Sequence, residues 1–200
     1  GIVFPSLVLK NNSFLSCSFY SMHTAIITHE GLLQVIGNNK DCTISSSLPK
    51  EVLKQLTDLP LKDNDGLPLF PISVVCGFNY TLLLVSNGRD DSNRLAFFSK
   101  KTQTQNPLFV SIGNHNPVSL FGGRFNAASI DAEGGIIFIT ESLLKTGTGE
   151  AFRAVLPDNE EAVSIACCNS FFYVVGSSGR VFMSAAGSPN EMKVVDELSG

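Results

Sequence analysis

Three histidines, five cysteines and a few glycine-rich or acidic loops are the residues of this 200-residue chain that could do chemistry. His23, His29 and His115 stand at no spacing, to one another or to carboxylates, that would assemble a metal site. His23 directly precedes an apolar run, where a histidine more often hydrogen-bonds backbone and holds a corner than acts as ligand or base. His29 falls in a turn and His115 in a polar loop. Cys167-Cys168 is not a Cys-x-x-Cys pair, and adjacent strand residues point to opposite faces. Cys76 and Cys167 read as small core residues, and Cys17 and Cys42 have no partner spacing. Asp63-Asn64-Asp65-Gly66 is faintly similar to a calcium loop, but Leu61 and Ile72 stand where its first and last ligands would be. Gly176-Ser177-Ser178-Gly179 lacks the Gly-x-Ser-x-Gly of a nucleophile elbow. Gly122-Gly123 and Gly147-Thr148-Gly149 lack the lysine of a phosphate loop. No two carboxylates are set out as an acid and a base. The expectation leans to a non-enzymatic protein with no catalytic residue, no metal, no cofactor and no small-molecule substrate.

Composition narrows the partners. A hydrophobic share of 44% against 16% charged argues for a folded chain. A chain of this length can bury roughly 70% of its unfolded surface without a staple. The formal charge is −4 with no basic cluster, which disfavours nucleic acid. An odd number of cysteines in a chain with a sufficient core points to reduced thiols and an intracellular, cytoplasmic or nuclear location. No apolar run approaches the ~20 residues of a membrane helix, and no signal peptide is visible. The sequons at Asn11 and Asn79 read as chance occurrences.

What must position the remaining residues is a repeat. Residues 74–88 read as strand, small-polar corner, strand and turn, and three other stretches share that pattern. The turn glycines Gly31, Gly88, Gly134 and Gly179 are separated by 57, 46 and 45 residues. Each stands seven residues after one slot, occupied by Thr24, Thr81, Ala127 and Phe172. Just before that slot are His23, Tyr80, Asn126 and Phe171, and four residues before it are Tyr20, Gly77, Gly123 and Cys168. Periods of this size with about four strands per unit mean a propeller or a solenoid. The inner strands read as near-continuous apolar runs, such as 82–85, as expected of sheets packed on both faces. The copies span approximately 14–56, 72–112, 118–156 and 163–198. A single short helix is expected at 48–56, capped by Ser47, with Val52, Leu53 and Leu56 at helical spacing. Residues 59–71, 99–106 and 141–151 read as loops, and 4–9 and 192–198 as spacer-like strands.

Cys76-Gly77-Phe78-Asn79-Tyr80-Thr81 followed by Asn87-Gly88, and His23-Thr24 followed by Glu30-Gly31 and Gly37-Asn38-Asn39, resemble the regulator of chromosome condensation repeat. Its signature is Cys-Gly-x-x-His-Thr, an apolar strand, a glycine turn, a strand and Gly-x-Asn. The copies are degenerate: His-Thr stands intact only at His23-Thr24, Gly-x-Asn only after Ile36, and there is no Trp. The resemblance implies an all-β fold, a β-propeller of about fifty residues per blade and seven blades in the family. About four are present here, so a partial or open propeller is expected, as one segment covering residues 1–200. The repeat positions His23, Thr24, Gly31, Gly37, Gly77, Thr81, Gly88, Gly123, Gly134 and Gly179 are read as structural.

One surface feature breaks the regularity. Arg89, Asp90, Asp91, Ser92 and Asn93 are inserted before a strand beginning at Arg94, and long loops on rigid repeats often carry recognition. The candidate partner-binding residues are therefore Arg89, Asp90, Asp91, Asn93 and Arg94. The function expected first is a non-enzymatic protein-interaction scaffold. The resemblance adds a second reading, guanine-nucleotide exchange on a small GTPase of the nuclear-transport type. A third is a partner-binding module of a larger ligase or kinase chain.

Overall fold

The apolar runs form strands that pair only with their neighbours in sequence. The computed structural model describes residues 14–20, 22–40, 44–99, 104–148 and 150–195. β1 (Phe14–Tyr20), β2 (His23–Thr28), β3 (Leu33–Asn38) and β4 (Val52–Asp58) make the first antiparallel meander. β5 (Phe70–Cys76), β6 (Tyr80–Ser86), β7 (Asn93–Ser99) and β8 (Leu108–Phe109) make the second. The third is β9 (Pro117–Gly122), β10 (Ala127–Asp131), β11 (Ile136–Ile139) and β12 (Phe152–Ala154). The fourth is β13 (Ala162–Cys167), β14 (Phe171–Gly176), β15 (Val181–Ala185) and β16 (Ser188–Val194). Each sheet is one blade of a β-propeller. The first strands of successive blades lie against each other, β1 with β5, β5 with β9 and β9 with β13. Among the described residues, no strand of the first blade packs on the fourth blade in that manner.

The period-2 geometry of a strand explains why the middle blades carry unbroken apolar runs. On β6, Leu83 and Val85 face the first blade and join Ala25, Ile27, Leu33 and Val35 in one core. Leu82 and Leu84, pointing the other way, join Ala127, Ile137 and Ile139 of the third blade. On β11, Ile136 and Phe138 turn instead toward the fourth blade and meet Phe172, Val174 and Phe182. Every strand between two neighbours thus needs apolar residues on both faces. Phe138 and Phe172 bring their ring centroids within 4.6 Å across the third junction.

Two elements differ from the sequence reading. Residues 52–58 form β4, where a helix is expected. The apolar triplet fits either period over so short a run. The unpaired edge of β3 settles it, since β4 supplies ladder partners to Gln34, Val35, Gly37 and Asn38. Leu53 is buried while its neighbour Val52 is exposed, an alternation that a strand makes. Conversely, the stretch expected as a loop holds α1 (Glu141–Thr146). Thr140 Oγ1 accepts from the Leu143 N–H, and Gly147 closes the helix at φ 72°. β16 begins four residues before the expected strand, and β5 takes in Phe70 and Pro71, read as loop. The expected strand at 4–9, Lys100–Gln103 of the polar run and Cys42 lie outside the described residues. No helix among the described residues is long and apolar enough to cross a membrane.

Asn39, the last residue of the Gly-x-Asn tail, organises the connection from β3 to β4. It is wholly buried. Its Nδ2 donates to the carbonyls of Ser45 (2.8 Å) and Pro49 (3.1 Å). Its Oδ1 accepts from the N–H groups of Ile44 (3.1 Å) and Ser45 (3.2 Å). Asn39→Ala orphans these backbone groups, so it should cost about 2 kcal/mol. In hydrogen exchange, the amides of Ile44 and Ser45 should lose protection before those of β2. Unchanged protection there would sink this account.

Candidate interaction surface

The repeat positions act across blade junctions. The residue just before the repeat slot reaches into the next blade in the first three copies. His23 Nε2 lies 2.8 Å from the Thr81 hydroxyl of the second blade. The Tyr80 hydroxyl lies 2.7 Å from the Gly123 carbonyl and 2.8 Å from that of Asn126, both in the third blade. Asn126 Nδ2 donates to the Cys168 carbonyl of the fourth blade at 2.9 Å. His23 was expected to hold its own corner through backbone. Its hydrogen bond goes instead to a side chain 58 residues away. The His-Thr pair therefore works between copies: the histidine of the first meets the threonine of the second, and Thr24 faces away from that junction. Burial without a charged partner pushes the His23 imidazole down to about 4, so the ring is neutral.

The glycines serve close approach or turns. A Cβ on Gly37 would lie 2.6 Å from both the His23 Cα and the Met22 carbonyl, and one on Gly123 would lie 2.4 Å from the Cys167 carbonyl. Gly31, Gly88, Gly134 and Gly179 take φ of 77°, 68°, 75° and 88° in the β2–β3, β6–β7, β10–β11 and β14–β15 turns, which a side chain would strain. These four turns share one rim of the propeller, together with the connections between blades.

The insert before β7 stands on that turn rim and is held in shape. Asn87 Oδ1 accepts from the N–H groups of Arg89 (2.9 Å) and Asp90 (3.3 Å). Asp90 Oδ1 accepts from the Ser92 N–H at 3.1 Å, and Asn87 Nδ2 donates to Asp90 Oδ2 at 3.1 Å. These hydrogen bonds keep the Asp90 carboxyl below its usual range, the Ser92 hydroxyl being the largest cause and Asn87 the next. The loop is tied to the connection entering the third blade. Asn116 Oδ1 accepts from the Asn93 N–H at 2.7 Å, and Asn93 Nδ2 donates to the Pro117 carbonyl at 3.0 Å. Arg89, Asp90, Asp91 and Arg94 are exposed, while Asn93 is half-buried. Of the five candidate residues, four thus face solvent and Asn93 anchors the loop. No local signal in Asn114-His115-Asn116-Pro117 marks Asn116 as the loop's tether.

Farther along this rim, His115, Asp131 and Glu133 bring potential metal-ligand atoms within 4.8 Å of one another. The cation among them is a guanidinium. Arg153 Nε donates to Asp131 Oδ2 at 2.6 Å and Arg153 Nη2 to Glu133 at 2.8 Å. Asp131 also accepts from the N–H groups of Glu133 (3.0 Å) and Gly135 (2.8 Å). Burial opposes its ionisation, but Arg153 and these amides outweigh it, so the carboxyl stays below its ordinary value. The fourth blade repeats the device, with Arg180 between Asp158 and Glu160. Cys17, Cys76, Cys167 and Cys168 are unbonded thiols. Burial pushes Cys76 and Cys167 up to about 12, far from nucleophilic thiolates at neutral pH.

The opposite rim, formed by the corners between first and second strands, carries a feature that the sequence reading missed. The rings of Phe78 and Phe125 meet edge-on, with centroids 5.8 Å apart. The Arg124 guanidinium lies 5.3 Å from the first and 4.7 Å from the second. The two phenylalanines occupy different repeat offsets, so aligning the copies could not pair them.

No protein-family model matches the sequence, and no curated protein matches it. Solved structures do match its fold. The chain overlays human WBSCR16 with a TM-score of 0.68 at 12% identity, covering 92% of this chain and 55% of that one. It overlays YCF48, solved bound to a D1 peptide, with a TM-score of 0.56 at 11% identity, covering 95% and 56%. It overlays yeast RCC1 (Prp20), solved bound to Kap60, with a TM-score of 0.51 at 16% identity, covering 90% and 57%. The chain therefore spans little more than half the length of these proteins. At such identities the likeness is one of fold, and the fold is an RCC1-like β-propeller.

Proposed function

We propose that this chain is a protein-interaction scaffold whose partner docks on the turn rim at the loop before β7. The observation that carries this reading is the pre-shaped loop. Four exposed side chains of both signs, Arg89, Asp90, Asp91 and Arg94, stand on a backbone fixed by Asn87, Asn93 and Asn116. A loop already ordered loses little conformational entropy on binding. Similar folds solved with Kap60 or a D1 peptide bound support protein binding as the use of this architecture.

The test replaces Arg89, Asp90, Asp91 and Arg94 together by Ser. All four side chains are exposed; Arg94 rests over the Phe109 ring and Asp90 holds the Ser92 N–H, so stability should fall by about 1 kcal/mol. A photo-crosslinker placed at Arg89 should capture a discrete protein partner, and purified partner should bind the Ser variant at least about tenfold more weakly. Equal binding by parent and variant would overturn the assignment of this loop.

The exchange-factor reading rests on the RCC1-like fold alone. Release of labelled GDP from a small GTPase of the nuclear-transport type separates the two. Strong acceleration would make exchange the function and the GTPase the partner, whereas no acceleration leaves the scaffold reading. A place as a binding module in a larger chain has a parallel in the ectodomain of the Arabidopsis receptor kinase ACR4, matched with a TM-score of 0.52 at 13% identity.

A further inference from the structure

The aromatic corner of the opposite rim holds an arginine whose donors are unspent. Arg124 is exposed, and its guanidinium lies 4.7 Å from the Phe125 ring and 5.3 Å from the Phe78 ring. The Phe78 N–H donates to the Arg124 carbonyl at 2.8 Å, which ties the corners of the second and third blades together. The residue is thus held at its backbone and at its guanidinium. Arg153 and Arg180, on the turn rim, are each clamped between two carboxylates. Among the described residues, Arg124 has neither a carboxylate nor a hydrogen-bond acceptor for its side chain. Ring contacts consume none of the N–H groups of its planar fork. We infer that this corner seats an acidic segment of a protein partner, with a Glu or Asp carboxylate on Arg124 and an adjoining apolar side chain on Phe78 and Phe125.

Charge complementarity selects the occupant. Most of the chain's acids stand on the turn rim, from Glu30 in the β2–β3 turn to Glu161 in the connection before β13. On the corner rim, among the described residues, Glu51, Glu141 and Glu150 stand against Lys40, Lys50, Arg124 and Lys145. Glu141 is already paired with Lys145 at 2.5 Å. An acidic chain thus offers a carboxylate its most favourable reception at this rim. The cations also cluster. Lys145 Nζ lies 6.0 Å from the centroid of the same Phe125 ring. Arg124, Phe125 and Lys145 line one small cleft between the corner and α1, together with Asn79 and Leu144. Glu141 lines it too and repels a dianion more than a monoanion, so a carboxylate fits better than a phosphate group. A guanidinium accepts a carboxylate through two parallel N–H bonds, and one already packed on rings loses little freedom in doing so. The rings are half-buried, which leaves their outer parts to an apolar neighbour of the acid. The seat lies between the second and third blades, on the rim opposite the loop before β7.

Fluorescence polarisation reads the binding of labelled octapeptides in which a glutamate adjoins a leucine, beside matched peptides with glutamine in its place. At low salt the full chain should bind the glutamate peptides at least about tenfold more tightly, and added salt should narrow the difference. Arg124→Gln should abolish the preference, whereas Lys50→Gln, on the same rim, should keep it. Both side chains are exposed, so the circular-dichroism melts of both variants should stay close to the parent's. Arg124→Lys keeps a charge over the rings without the fork and should lose most of the preference. The variant with Ser at positions 89, 90, 91 and 94 alters the other rim and should bind these peptides as the parent does. Equal binding of glutamate and glutamine peptides, or a preference that survives Arg124→Gln, overturns the proposal. Tighter binding of a phosphoserine peptide, or of single-stranded RNA, that is lost in Arg124→Gln overturns the choice of a carboxylate peptide as occupant.

Discussion

Gly77→Ala should destabilise the protein by roughly 2–6 kcal/mol, although it adds one methyl group. A Cβ at position 77 would lie 1.9 Å from Tyr80 Cε1 and 2.3 Å from Cζ. The ring cannot swing aside. It is almost wholly buried, and its hydroxyl is held by the carbonyls of Gly123 and Asn126. Moving it therefore combines overpacking, at about 1–3 kcal/mol, with loss of a buried hydrogen bond and the orphaning of its acceptors, at a further 1–3 kcal/mol. Tyr80→Phe isolates the second part and should cost only that share. Removing the ring in Gly77→Ala/Tyr80→Ala should give a loss well below the sum of the single changes, because the collision is gone. Urea unfolding of the parent and of the four variants, Tyr80→Ala included, decides it. A Gly77→Ala cost below about 1 kcal/mol, or strict additivity with Tyr80→Ala, would refute the steric account.

The second large effect is on pH dependence. His23 is neutral in the folded chain because burial holds its ring at about 4, against an ordinary value of 6.5. As pH falls, the unfolded chain takes up the proton first. Stability from this group is thus fully present above about pH 6.5, declines as pH drops toward 4, and is flat below that. The depression corresponds to about 3 kcal/mol lost across the window. Protonation in place would put an unpaired charge between the first and second blades beside the Thr81 hydroxyl. His23→Gln should remove most of this dependence while losing about 1–3 kcal/mol at neutral pH from the altered hydrogen bond. Urea midpoints of both proteins between neutral pH and about pH 4 supply the comparison. Equal slopes in the two proteins would place the acid sensitivity elsewhere, Asp131 being the next group to examine.

These effects share one cause: the junctions between blades are narrow and carry single latches. A change at one corner therefore acts on two blades. The prominent surface loop, by contrast, should lose little stability on substitution and show its effect chiefly in binding.

The sequence by itself determined the architecture. Turn glycines at nearly regular intervals, with apolar runs at fixed offsets from them, dictate hairpins of matching length. Sheets with apolar residues on both faces must stack, which a propeller or a solenoid satisfies, and the resemblance of the repeat pointed to the propeller. The insert before β7 was also legible, because five polar residues break an otherwise tight hairpin. Tertiary structure decided what local pattern leaves open. Residues 52–58 suit a helix or a strand equally, and the free edge of β3 chose the strand. α1 follows a Thr cap and precedes a Gly stop that the sequence does carry, but its two apolar positions, Leu143 and Leu144, show no period until the second and third blades bury them. The partners of His23, Tyr80 and Asn126 lie 42 to 58 residues away. Spacing marked these residues as equivalent, but only the angle between blades determines which atom of the next blade each one meets.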